Sequence, residues 1–173
     1  MSVTISSCPS PAPVEPTTPP TPETLAYSLT LPAAPASPAV ARAAARTILR
    51  THGLQDVTDA AVQVVAELTA CACRFTPVEV YVSLRYREGA LRVIVYDGHP
   101  RHTHPRLAAA CEARRRADLR LLACVVRACG GDWGFGDARE PTGGTRMWAV
   151  LPREGARAYP EAGPARGGDP QSW

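Results

Sequence analysis

Glu67 and Cys71 are four residues apart in Val64-Val65-Ala66-Glu67-Leu68-Thr69-Ala70-Cys71-Ala72-Cys73-Arg74. On a helix that spacing puts both on one face. Glu67 is the only acid between Asp59 and Glu79, and its neighbours are largely apolar. It reads either as a solvated carboxylate on an outer face or as one turned into a pocket between helix and sheet. A second group is His99-x-x-His102-x-His104, with Cys111 nearby and prolines at 100 and 105. Imidazole and thiolate are zinc ligands. No paired CxxC accompanies them, however, and Cys71 and Cys73 fall on different helix faces. Exposed histidines in a basic loop are the expectation here, and no metal ligand is assigned. No cysteine and histidine are nominated as a nucleophile and base pair. Cys124 and Cys129 read as small core or helix-end residues. Trp133, Phe135 and Trp148 read as sheet core rather than a platform for stacking bases.

These groups need a scaffold, and the composition provides for one. The chain has 173 residues, of which 45% are hydrophobic. That is enough for one packed domain with material left over for tails. No apolar run reaches the roughly 20 residues of a membrane helix. All 19 basic residues are arginine, set against 16 acids for a net charge of +3. That balance is too mild to indicate nucleic-acid binding. Without lysine there is no Schiff-base amine and no lysine phosphate clamp. The Ala, Arg, Gly and Pro bias suggests GC-rich, actinobacterial coding. Met1-Ser2-Val3-Thr4 lacks the basic and apolar regions of a secretory signal. The six cysteines are therefore expected to be reduced thiols of a cytoplasmic protein.

Residues 1–24 and 154–173 are poor in large apolar side chains and read as disordered tails around a domain at 25–153. Alternation at Tyr27, Leu29 and Leu31 predicts a strand. Ser37-Pro38 starts a helix that runs through Val40, Ala44, Ile48 and Leu49 to His52-Gly53. Thr58 starts the Glu67 helix, with Ala61, Val62, Val65, Leu68, Thr69 and Ala72 as its inner stripe. Val78–Leu84 and Leu91–Val95 alternate and are joined at Glu88-Gly89 as a hairpin. From Asp97-Gly98 to about residue 116 the chain reads as a loop, and Ala117–Cys129 as a third helix. Trp133–Phe135 and Thr145–Leu151 read as the last strands, around Gly143-Gly144. Adjacent strands imply hairpins, so the fold class is α+β, a two-layer α/β sandwich with a mostly antiparallel sheet and helices on one face.

In this order the segments resemble the histidine-kinase-like ATPase superfamily (gyrase, heat-shock chaperone, histidine kinase, mismatch repair; GHKL). The closest subgroup is the bacterial anti-sigma-factor serine kinases. Val64–Arg74 resembles that family's N-box helix. Leu31-Pro32-Ala33 with Ser37–Ala43 resembles its first strand and helix. Val93–Pro100 resembles its adenine-binding strand and turn, and Gly143–Leu151 its last strand. The resemblance spans about 25–152. It implies that Glu67 orients or activates the attacking nucleophile. It also implies that Asp97 accepts a hydrogen bond from the adenine amino group, with Gly98 leaving room for the ring and Thr145 linked through Asp97 and water. The expected cofactor is ATP, and the expected partner is a protein such as a sigma factor or an anti-sigma antagonist. Homodimerisation is left open.

The departures from that pattern bear on chemistry. The family's metal-binding asparagine falls at Cys71, and a neutral thiol is a poor Mg²⁺ ligand. The family's histidine falls at Phe75. The lid glycines, whose backbone N–H groups cradle phosphates, fall on Asp118-Leu119-Arg120-Leu121. Arg114, Arg115 and Arg116 could hold phosphates by side chains instead, or could form a solvated basic loop. Phosphoryl transfer needs both positioning and metal-assisted charge stabilisation. The expectation is a regulatory ATP-binding domain that switches by binding protein, with nucleotide binding weakened or lost. The alternatives are an active protein serine/threonine kinase and a non-catalytic signalling subunit.

Overall fold

The computed structural model describes residues 19–138 and 143–159. The strands are β1 (Ala26–Pro32), β2 (Glu79–Arg87), β3 (Ala90–Asp97), β4 (Asp132–Asp137) and β5 (Thr145–Pro152). The helices are α1 (Ser37–Thr51), α2 (Thr58–Phe75), α3 (Pro105–Asp118), α4 (Arg120–Ala128) and α5 (Arg153–Ala158). The five strands form one sheet in the order β1-β2-β3-β5-β4, with every neighbouring pair antiparallel. The fold is thus α+β, a two-layer sandwich, as the alternation patterns predict.

Period-two patterning decides which sheet face is covered. Val80, Val82 and Leu84 of β2, Leu91, Val93 and Val95 of β3, and Met147, Ala149 and Leu151 of β5 are buried. Their neighbours Ser83, Ile94, Trp148 and Val150 are half-buried on the opposite face. Trp148 therefore lies outside the core, contrary to expectation, whereas Trp133 and Phe135 pack against it. The β2–β3 hairpin turns on Glu88 and Gly89, at φ 53° and 72°. Two successive positive φ values suit the right-handed twist of the flanking strands.

Helix α2 is the central strut. Ten of its side chains are buried, from Ala60 to Ala72. Helix α1 buries Ala41, Ala45, Ile48 and Leu49, so its inner stripe lies one residue beyond Val40 and Ala44, and Val40 is exposed. Helix α4 adds Leu122, Val125 and Val126, while Cys124 is exposed rather than in the core.

Two expectations about boundaries change. Residues 98–104 are loop as expected, but from Pro105 to Asp118 the chain is helix α3. Pro105 stands in its first turn, where a missing N–H costs nothing. The His104 ring accepts the Arg106 N–H at 3.3 Å. Ordered structure also extends beyond the expected 25–153 at both ends. Residues 22–24 form a 3₁₀ turn, and His52 Nδ1 donates to the Thr21 carbonyl at 2.6 Å. At the other end α5 buries Ala156, and Asp56 accepts from Arg153 at 2.9 Å and from Arg157 at 3.1 Å. The remaining tail residues, 1–18 and 160–173, lie outside the described residues. No helix among the described residues is long and apolar enough to cross a membrane.

Candidate functional site

The sheet end formed by β3 and β5 carries Asp97 and Thr145, which face each other in the strand register. Alternation along β3 points the Asp97 side chain into the helix layer, alongside Val93 and Val95. There the carboxylate is fully enclosed, with 0% of its side chain exposed. Its partner is Arg115, itself 2% exposed. Arg115 Nη1 donates to Oδ2 at 2.8 Å and Nη2 donates to Oδ1 at 3.2 Å. Oδ1 also accepts the His99 backbone N–H at 3.0 Å. The fork geometry matches a guanidinium to a carboxylate and gives orientation as well as energy.

The cation is seated on three sides. The Arg115 guanidinium lies 3.8 Å from the centroid of the Phe75 ring at the end of α2. Its Nη1 is 3.5 Å from Met147 Sδ on β5. A desolvated cation over an aromatic face gains roughly 2 kcal/mol. Phe75, standing where the resemblance has a histidine, therefore serves as a seat for Arg115.

This geometry gives the carboxylate that the resemblance assigns to adenine three donors from the protein itself. Both carboxylate oxygens are engaged by protein donors, Oδ1 by two and Oδ2 by one. No protein contact requires a glycine at 98. A Cβ built there would meet Thr76 Oγ1 at an ordinary 3.5 Å. The glycine the site does require is Gly144, at φ 84°, where a Cβ would fall 2.0 Å from the Asp97 carbonyl oxygen. That contact brings the start of β5 against the end of β3.

The other expected residues separate from this pair. Glu67 is half-buried and accepts from Gln63 Nε2 at 2.9 Å, one turn back along α2. It lies in the wall of neither hollow at this end of the sheet. Cys71 is buried near Asp97, Arg115 and Asp118. Burial pushes its thiol up to about 12, with the Arg115 charge pulling down and the Asp118 and Asp97 charges pushing up. It is a protonated thiol, unsuited to Mg²⁺. Arg116 bonds Glu112 at 2.8 Å and lies 5.1 Å from the Phe135 ring centroid. Arg114 is exposed on α3. The three arginines thus point to different surroundings, and only Arg115 is turned inward, onto Asp97. In place of a lid loop the chain passes directly from α3 to α4 at Leu119. The Leu119 N–H bonds the Arg115 carbonyl at 3.0 Å, and Asp118 pairs with Arg74 at 3.0 Å.

Two hollows flank the plugged centre. One, of about 280 Å³, is lined by residues including His99, Arg101, Cys111, Arg115, Asp137 and Thr145. The larger, about 700 Å³, involves Tyr81, Tyr96, Gly98, Gly143 and Arg146. Tyr81, Tyr96 and Arg146 alternate with the buried residues of their strands, so this hollow opens on the outer sheet face. Asp97 borders this hollow as well, although its side chain is 0% exposed.

The loop after β3 holds what the sequence reading set aside. His99, His102 and Cys111 place one potential ligand atom each within 4.8 Å of one another. His99 and His102 are half-buried rather than exposed, and His104 alone of the three is exposed. The spacing in the sequence already grouped these residues; the turn of α3 after the loop is what brings Cys111 to the two histidines and leaves His104 out. No protein-family model matches the chain, and no curated protein matches it.

Proposed function

We propose that this chain is a regulatory domain of the anti-sigma-factor-kinase type that acts by binding a protein partner, a sigma factor or an anti-sigma antagonist, with its nucleotide site weakened or lost. The observation that carries this reading is the Arg115–Asp97 pair. The carboxylate that the resemblance assigns to an adenine amino group is enclosed and held by a bidentate pair with the protein's own arginine. Three further features support it: the protonated Cys71 thiol at the metal-ligand position, the α3–α4 junction in place of a glycine lid, and Glu67 away from both hollows. Each removes a different requirement of phosphoryl transfer.

The test is Mg²⁺-ATP added to the full chain, with melting temperature, phosphotransfer to co-purified partners and capture of a sigma factor or antagonist read in parallel. ATP at a hundred times its Kd would stabilise the fold by about 2.7 kcal/mol. The reading expects no shift at millimolar ATP, no transfer, and capture of a partner. A shift with transfer that Glu67→Ala abolishes would establish the active kinase instead.

A further inference from the structure

We propose that His99, His102 and Cys111 form a zinc site that clamps α3 to the loop after β3 and thereby holds Arg115 on Asp97. His99 Nε2 lies 3.1 Å from His102 Nε2 and 3.3 Å from Cys111 Sγ. Tetrahedral zinc, with Zn–N about 2.0–2.1 Å and Zn–S about 2.3 Å, sets its donors roughly 3.3–3.6 Å apart. Two of the three spacings therefore stand close to those of a coordination shell, the third is within 4.8 Å, and side-chain movements complete the shell.

The tautomer supports the same assignment. His99 Nδ1 lies 3.1 Å from the Phe75 carbonyl oxygen, which can only accept, so Nδ1 carries the hydrogen. Neutral His99 then offers a single lone pair, at Nε2. Both His102 Nε2 and Cys111 Sγ converge on that one acceptor. One lone pair cannot serve two donors well, whereas one cation serves all three groups. A ligand histidine whose other nitrogen donates to a backbone carbonyl is also the usual second-shell arrangement of metal sites.

Two imidazoles and a thiolate are a borderline-soft set, suited to Zn²⁺ over Mg²⁺ or Ca²⁺. Binding converts the Cys111 thiol to thiolate and releases one proton to solvent. The fourth position faces the hollow of about 280 Å³ that the three residues border, where water or an exogenous donor completes the shell. The acids in that wall are already occupied: Asp137 pairs with Arg101 at 3.3 Å and Glu112 with Arg116 at 2.8 Å.

The clamp follows from spacing. Cys111 and Arg115 are four residues apart on α3 and share a face. Arg115 is the only buried residue of that helix. A metal bond one turn away supplies the attachment that apolar packing does not. The regulatory meaning of the clamp rests on the reading of Arg115 above, whereas the metal site stands independently of it.

The experiment uses untagged full-length chain stripped with chelator, then titrated with Zn²⁺ and, separately, Co²⁺. Expected are one bound zinc per chain and a Co²⁺ spectrum with a thiolate charge-transfer band and tetrahedral visible bands. Cys111→Ser should remove the charge-transfer band, and His102→Ala should weaken zinc by more than the roughly 10–100-fold typical of losing an outer-shell partner. His104→Ala should bind as the native chain does. Zinc should slow hydrogen exchange of the α3 amides, and the Cys111→Ser chain should not show that slowing. Absence of stoichiometric zinc, a Co²⁺ spectrum without thiolate, or equal losses from His104→Ala and His102→Ala would overturn the site. Zinc binding with unchanged α3 exchange would overturn the clamp. None of these readouts depends on ATP, so their failure is distinguishable from failure of the proposed function.

Discussion

Helices α2 and α3 lie on the same sheet and hold to it by opposite means. Helix α2 buries ten side chains, eight of them Ala, Val or Leu, and is the molecule's strut. Helix α3 buries one, and that one is an arginine. Apolar burial is non-directional and tolerates small shifts, whereas a bidentate ion pair holds at one geometry and is lost beyond it. The first helix is therefore frame, and the second depends on one geometry at one residue. Segments that move in regulation come from the low-stability end of a structure. Helix α3, with Leu107 58% exposed and almost no apolar contact, has that character.

Breaking the seat should show the largest effect. Arg115→Ala leaves the Asp97 carboxylate buried without its cation, which costs about 3–5 kcal/mol in urea unfolding. Adding Asp97→Asn to Arg115→Met should recover most of that loss, because no uncompensated charge then remains. If Arg115→Ala unfolds at the native urea midpoint, α3 is not seated by this pair.

The frame should respond to volume. Leu68→Ala in α2, at a fully buried position, is expected to cost about 2–5 kcal/mol. The matched change in α3, Leu107→Ala, should stay within about 0.5 kcal/mol. Similar losses at the two positions would erase the contrast between the helices.

A smaller effect is expected where α5 is tied down. Burial works to raise the Asp56 carboxyl pKa, but Arg153 and Arg157 outweigh it and the net shift is down. Because the folded pKa lies below the unfolded one, the stabilisation is complete above about pH 4 and fades as pH falls through the folded value. The pair should be worth about 0–1 kcal/mol at neutral pH. Asp56→Asn should make the acid limb of the stability profile shallower and leave the profile above neutrality parallel to the native one.

The same contrast explains what the sequence disclosed. The α2 stripe, the Glu88-Gly89 hairpin and the alternation in β2, β3 and β5 were legible because burial writes a period into the chain. Helix α3 wrote none: with Arg115 alone inside, its apolar residues have no reason to recur every 3.6 positions, and its stretch read as a loop. Asp97 was legible as a carboxylate at a strand end, but its partner stands 18 residues later on that unseen helix. The His99, His102 and Cys111 group was visible as a motif but was set aside for the same cause, since the two histidines meet Cys111 only once α3 is in place. Glu67 illustrates the converse: its spacing was visible, but its local bond to Gln63 was not.

The most direct test of the plugged site is a side-by-side Mg²⁺-ATP titration of the native chain and Arg115→Ala, read as melting temperature with Trp fluorescence as a check. The account predicts no response from the native chain and an ATP-dependent rise for the variant, whose freed Asp97 can accept an adenine amino group. Equal stabilisation of both proteins by ATP would contradict it, because Arg115 would then not be standing where the nucleotide binds.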